Sequence, residues 1–223
     1  MRLRSICTKK TNRTYVYIDG FNLYYGALKR TKYKWLDVKK MCITLLPSPE
    51  YDLQHIRYFT APVKSPPNDP LQHVRQEAYF RALKTISNLE IHFGSFLENK
   101  VKLPDATNPI NPDGSWNTHE VRRSEEKGSD VNLATYLLVD GFRNRYDTAV
   151  VISNDSDFIE PIKVIKTELK KNVEVFSPYR RTSTKLRGIA DKCQVIWRST
   201  IRNCQFPPAM NDATGPFHKP PEW

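Results

Sequence analysis

The chain has 223 residues, 39% of them hydrophobic and 26% charged, enough to bury the core of one large domain or two small ones. A formal net charge of +11 and a pI near 9.5 point to a polyanionic partner, nucleic acid before an acidic membrane surface, with a solvated basic exterior as the plainer alternative that charge alone leaves open. No apolar run approaches the roughly 18 residues of a bilayer span, and no CxxC or HxxxH spacing offers a zinc site.

The amino terminus, "MRLRSICTKKTNR", is basic but lacks an apolar stretch, so it does not read as a secretory signal. Cys7, Cys42, Cys193 and Cys204 are widely separated, and reduced thiols in a cytoplasmic protein account for them most simply. The first predicted strand, 15–18, ends abruptly in Asp19, followed by Gly20, Phe21 and Asn22. A second strand is predicted at 55–61. The helix "DPLQHVRQEAYFRALKTIS" follows, with Asp69 as N-cap and Pro70 at its first position. A third strand is predicted at 89–96.

From 97 to 128 the alternation of strand and helix breaks. Pro104, Pro109, Pro112 and Asp113–Gly114 mark turns, and an insert of that length reads as a lid or an extra hairpin. Within it His119, Arg122 and Arg123 either reach over a cleft or are solvated and paired with Glu120, Glu125 and Glu126. The helix "SDVNLATYLLVDGFRNR" comes next, capped by Ser129, with Val131, Ala134, Leu138 and Phe142 on one apolar face that Leu133 and Leu137 widen. A strand at 148–153 leads through "NDSDF" into the helix "EPIKVIKTELKK", whose lysines gather at the C-terminal end that the helix dipole favours. Strands at 173–177 and 194–197 complete the series. The tail 206–223, with five prolines, is expected to be extended, either free or draped over the body through Phe217 and Trp223.

Strand–helix alternation of this kind predicts an α/β layered fold with a mainly parallel sheet. All strand C-termini then emerge at one edge, where ligands bind. Asp19 follows the first strand, and Asp155 and Asp157 follow the fourth. Asp130 starts the helix leading back into that fourth strand, so it belongs at the same edge. Asp140, ten residues further along, is about 15 Å away, and Asp147 precedes the strand at the opposite edge. Carboxylates held this close repel unless a cation balances them, and Mg²⁺ or Mn²⁺ with hard oxygen ligands is the natural balance. Asn22 and Ser153 are polar auxiliaries. The competing account is that the acids are caps and turn formers.

Three blocks, "YIDGFNLYYG", "EEKGSDVNLATYLLVDGF" and "YDTAVVISNDSDFIEPI", resemble the NYN-domain branch of the PIN-like nuclease superfamily, which includes LabA-like bacterial proteins. The resemblance implies a Rossmann-like three-layer fold (PIN-like) and a metal-dependent endoribonuclease that leaves a 5′-phosphate. Its acids fall on Asp19, Asp130, Asp155 and Asp157. Some relatives carry a cysteine-bearing loop in the insert; this chain has no cysteine there, and no zinc is inferred. The organisation expected is a basic segment 1–13, a nuclease domain 14–200 containing the 97–128 insert, and a proline-rich tail 201–223.

Single-stranded RNA is the expected partner, with no membrane, and a two-fold homodimer is the commonest assembly for a soluble chain. Lys127, Arg180, Arg181, Lys185 and Arg187 are placed to track phosphates, with Tyr24 and Tyr25 as surfaces for unpaired bases. The alternatives are a catalytically weak RNA-binding or regulatory module on the same fold, and a small-molecule phosphatase. The phosphatase is disfavoured because the chain lacks both a GxxxxGK[ST] loop and a DxDGT-like motif.

Overall fold

The structure, a computed structural model, describes residues 11–47 and 49–223. Cys7 and most of the 1–13 segment lie outside the described residues. The first strand, β1 (Arg13–Asp19), runs into a short helix, α1 (Gly20–Leu23), that continues as a π-helical turn over Tyr24–Leu28. Then come α2 (Val38–Leu45), β2 (Asp52–Thr60), α3 (Gln72–Lys84) and β3 (Leu89–Phe93). A hairpin, β4 (Ser95–Pro104) and β5 (Thr118–Lys127), precedes α4 (Ser129–Phe142) and β6 (Thr148–Ile152). The chain continues through a 3₁₀ turn at Ser156–Phe158, α5 (Ile159–Thr167), β7 (Asn172–Ser177), α6 (Thr184–Ile189) and β8 (Lys192–Val195). It ends with α7 (Arg198–Asn203), β9 (Ala209–Asp212) and β10 (Gly215–His218).

Six strands form one sheet in the order β3-β2-β1-β6-β7-β8, and every neighbouring pair is parallel. This is the doubly wound arrangement, with the order reversing between β1 and β6. The expected α/β class is therefore the observed one, and the sheet is wholly parallel. Period-two alternation sends Val16 and Ile18 of β1 into one core layer, with Trp35, Met41, Tyr79 and Leu83. Tyr17 points into the other, with Leu133, Leu137, Ile162 and Ile165. β6 is buried along its whole length, as a central strand covered on both faces must be.

The second layer contains a buried polar knot. The Asp140 carboxylate is fully buried and accepts hydrogen bonds from the Tyr17 hydroxyl (2.9 Å), Arg57 Nε (2.7 Å) and Nη2 (3.3 Å), and Arg145 Nη1 (2.9 Å). Arg57 also pairs with Glu90 and stacks over the Tyr136 ring at 4.5 Å. The knot binds β1, β2, β3 and α4 together with every charge balanced, which is the condition for burying charge at all.

Several expectations are corrected. α3 starts at Gln72 behind Leu71, not at an Asp69 cap: the Asp69 carboxylate is engaged by Arg75. α4 buries Leu133, Leu137, Asp140 and Gly141, while Val131 and Phe142 are 69% and 63% exposed. Both faces of that helix are apolar, so hydrophobicity alone could not choose. Packing does, because only glycine fits at 141, where a Cβ would lie 2.7 Å from the Tyr146 hydroxyl. The N-cap position of α4 is Gly128, at φ +99°, and Ser129 donates its N–H and hydroxyl to Glu126.

The predicted strand 89–96 ends at Phe93, and the 97–128 insert is the antiparallel hairpin β4–β5, paired from Ser95↔Lys127 to Pro104↔Thr118. The boundary expected at residue 200 falls inside α7, and Arg13 belongs to β1. The tail is not simply extended. It folds back as the β9–β10 hairpin, with Phe217 and Trp223 against Trp35, the Trp35 indole N–H donating to Pro207 O (2.8 Å), and Arg81 paired with Asp212 (2.8 Å). The described cysteines, Cys42, Cys193 and Cys204, are free thiols. Among the described residues no helix is long and apolar enough to cross a membrane.

Replacing Asp140 with alanine leaves the buried Arg57 guanidinium with Glu90, which is half exposed, as its remaining carboxylate partner. Urea unfolding of Asp140→Ala is expected to lose about 3–5 kcal/mol. Val131→Ala, on the exposed face of the same helix, is expected to stay within about 0.5 kcal/mol of the parent.

Candidate active site

In the parallel pairing of β1 with β6, Ile18 lies opposite Ile152, so Asp19 and Ser153 leave the sheet side by side. Asp19 is only 4% exposed. Its Oδ1 accepts the N–H of Asn22 (2.9 Å) and its Oδ2 accepts the Ser153 hydroxyl (3.0 Å). Ser153 Oγ in turn accepts the N–H of Asp155 (3.1 Å), and Asn22 Oδ1 accepts the N–H of Asn154 (2.9 Å). Two cross-ties therefore lock the turn after β1 to the turn after β6. Gly20 allows the first of these turns, since a Cβ there would meet the Phe59 carbonyl oxygen at 2.7 Å and the Tyr58 ring at 2.9 Å.

Asp19, Asn22, Phe96, Glu126, Asp130 and Asp155 line a cleft of about 290 Å³ at this edge. Burial pushes the Asp19 carboxyl up to about 7; the Asn22 N–H opposes the rise and the Asp130 and Asp155 charges add to it. Asp130 is pushed up to about 6, by burial first and then by Asp155, Glu126 and Asp157. The capping account of these acids is also true in part. Asp19 caps α1, and Asp155 Oδ1 accepts the Asp157 N–H (3.0 Å).

The remaining candidates divide. Asp157 is exposed and does not line the cleft, though its charge reaches Asp130. Lys127 is paired with Glu125 at 2.8 Å. Arg180, Arg181, Lys185 and Arg187 are exposed, on a segment that Asn154 fastens to the site: its Nδ2 donates to Arg181 O (3.2 Å) and its Oδ1 accepts Ser183 N–H (2.7 Å). Tyr24 packs against the core, whereas Tyr25, 55% exposed, lines the cleft. His119 pairs with Asp105 (2.9 Å) near the far end of the hairpin, whose base alone meets the cleft.

That base contributes two residues that the sequence reading did not assign to the site, Phe96 as the end of a predicted strand and Glu126 as one of the insert's solvated acids. Phe96 meets Phe21 edge to face at 5.7 Å. Strand alternation sends Glu125 outward, to Arg123 and Lys127, and Glu126 inward. Knowing that "SEEK" lies on a strand would have separated the two glutamates.

Among the described residues no group of three or more His, Cys, Asp or Glu side chains is arranged to hold a metal ion directly. The donor chemistry nonetheless suits a hydrated hard cation. Mg²⁺ takes one or two carboxylates and keeps several waters. Asp19 and Asp130 are pushed toward neutrality by their surroundings, a penalty that a divalent charge would relieve.

The NYN domain family matches residues 13–197. The chain belongs to that family. The whole chain is also 31% identical, over 95% of its length and 75% of the relative's, to a Pseudomonas putida protein named 6-hydroxy-3-succinoylpyridine 3-monooxygenase HspA. It shares its fold with a Vibrio parahaemolyticus protein of unknown function: TM-score 0.54, 18% identity, 85% of this chain and 96% of that one covered.

Asn154→Ala removes both side-chain ties to the basic segment. The expected cost is about 1–2 kcal/mol, together with faster hydrogen–deuterium exchange confined to residues 181–187.

Proposed function

We propose that this NYN domain, placed with the LabA-like branch on its three sequence blocks, is a metal-dependent endoribonuclease acting on single-stranded RNA. The observation that supports this reading most is the convergence of Asp19, Asp130 and Asp155, from three separate parts of the chain, on one cleft at the edge where strand order reverses. Family membership and the net charge of +11 point the same way.

Asp19, Asp130 and Asp155, with Asp157 at the rim, would hold Mg²⁺ or Mn²⁺. Such an ion supplies Lewis acidity and charge neutralisation for in-line attack of water on a phosphodiester. Ser153 positions two acids at once, through Asp19 Oδ2 and the Asp155 N–H. Asn22 holds the Asn154 turn rather than a ligand. The exposed Arg180, Arg181, Lys185 and Arg187 draw the phosphate backbone toward the edge, and Tyr25 offers its exposed ring to an unpaired base.

One observation favours a second reading. The relative matched over 95% of this chain is named as a monooxygenase of a substituted pyridine, which points to oxidation of a small heteroaromatic ring.

Both readings are tested with purified protein. Labelled mixed-sequence single-stranded RNA is expected to be cut with Mn²⁺ or Mg²⁺, and not with EDTA or in Asp155→Asn. Ser153→Ala is expected to slow cutting by about ten- to a hundredfold. Wild type that binds the RNA as well as Asp155→Asn does, yet cuts with neither metal, is a binding module and not a nuclease. Dioxygen uptake with 6-hydroxy-3-succinoylpyridine and a reduced nicotinamide, without RNA cleavage, would establish the second reading.

A further inference from the structure

In the proposed nuclease, the acids of the cleft repel the phosphate strand that they are to cut. Affinity for that strand has to come from elsewhere on the molecule. Three segments are built to supply it. Residues 24–33, 178–188 and 197–203 hold nine of the chain's 35 Lys and Arg and none of its 24 Asp and Glu. All nine cations are exposed, and none makes an ion pair with the described residues.

These segments follow β1, β7 and β8, so they lie at the sheet edge that carries the acids. They also touch one another. Tyr179 lies over Gly26, where a Cβ would meet its ring at 2.8 Å, and Arg198 lies over the Tyr33 ring at 5.8 Å. The Ile196 N–H donates to Ser177 O (2.8 Å), so the chain leaves β8 for Trp197 level with the turn after β7. From β6 to β8 is two strand spacings, about 10 Å.

Aromatic rings interleave with the charge. Tyr25, Tyr179 and Trp197 are 55%, 36% and 69% exposed. Burial, then Asp19 and Tyr25, push the Tyr179 hydroxyl up, so that ring sits within electrostatic reach of the cleft. Trp197, beside Arg198, has no ring or cation partner among the described residues. Exposed rings set among unpaired cations are the pattern of a surface for unpaired bases and their phosphates.

The hairpin on the other side of the cleft has a different balance. Residues 97–127 carry six acids against five Lys and Arg, and Lys100, Arg123 and Lys127 are paired with glutamates. Its exposed indole, Trp116 at 64%, therefore lacks the surrounding charge.

We propose that single-stranded RNA leaves the cleft toward β8 and not toward the hairpin, its phosphates tracked by these cations and successive unpaired bases stacked on Tyr179 and Trp197. This path rests on the RNA reading and deepens it.

The test is fluorescence anisotropy of a labelled RNA of about 12 nucleotides with the full chain in EDTA, which reads binding without cutting. Trp197→Ala, shown folded by circular dichroism, is expected to weaken binding about fivefold or more, and Trp116→Ala less than about twofold. Arg180→Ala with Arg181→Ala is expected to weaken binding and flatten the slope of log K against log salt by about 1.4. Lys100→Ala with Lys102→Ala, an equal loss of charge on the hairpin, is expected to leave both nearly unchanged. Duplex RNA, whose bases cannot stack on the rings, is expected to bind more weakly than the single strand. The path is overturned if Trp197→Ala binds as wild type, if the lysine pair costs as much as the arginine pair, or if duplex binds as well. Wild type that binds no RNA overturns the path and the RNA reading together. Wild type that binds, is weakened by Trp197→Ala and yet cuts with neither Mn²⁺ nor Mg²⁺ supports the path and refutes the nuclease alone.

Discussion

The parallel pairing of β1 with β6 is the constraint from which the site follows. Strand order reverses there, so the two turns that leave the sheet at Asp19 and Ser153 diverge onto opposite faces and open a crevice between them. A carboxylate buried at such a point must be hydrogen-bonded. The Asn22 N–H and the Ser153 hydroxyl do this, one from each side of the crevice. The same bonds that make Asp19 tolerable therefore fix the relative position of the two turns.

The molecule handles buried acid in two opposite ways. Asp140 sits among Arg57, Arg145 and the Tyr17 hydroxyl, so its charge is neutralised inside the protein and it serves cohesion. Asp19 and Asp130 sit among other acids, and their pKa values rise to about 7 and about 6. Cohesion alone gives no reason to gather like charges. Perturbation by burial and like charge, in a cleft, is the pattern of a working site.

The hairpin and the tail, both outside the alternation of strand and helix, each complete a cavity. β4–β5 brings Phe96 and Glu126 to the acidic cleft, and the tail brings Glu222 and Trp223 to a second, aromatic-walled cavity behind it. Phe21 and Tyr25, one turn apart after β1, stand between the two cavities. The short helix after Asp19 thus shapes both, and Gly20 lets it lie against the Phe59 carbonyl and the Tyr58 ring.

The amino-acid sequence by itself determined the class of fold and the edge that carries the acids. Short, β-branched apolar runs such as "AVVI", set between helical stretches, read as strands covered on both faces, and an acid ending such a run in a parallel sheet has one edge to occupy. It could not choose between the two apolar faces of α4, because that depends on Tyr146 leaving space for Gly141 and no Cβ. Nor could it separate Glu125 from Glu126, because the sense of their alternation is set by where β5 pairs with β4. Asp69 was lost as a cap to Arg75, a contact that exists only once the helix is placed. The aromatic cavity was decided by tertiary structure alone. Its walls come from β2, α3, the π-helical turn and the tail, and no local pattern records that these meet.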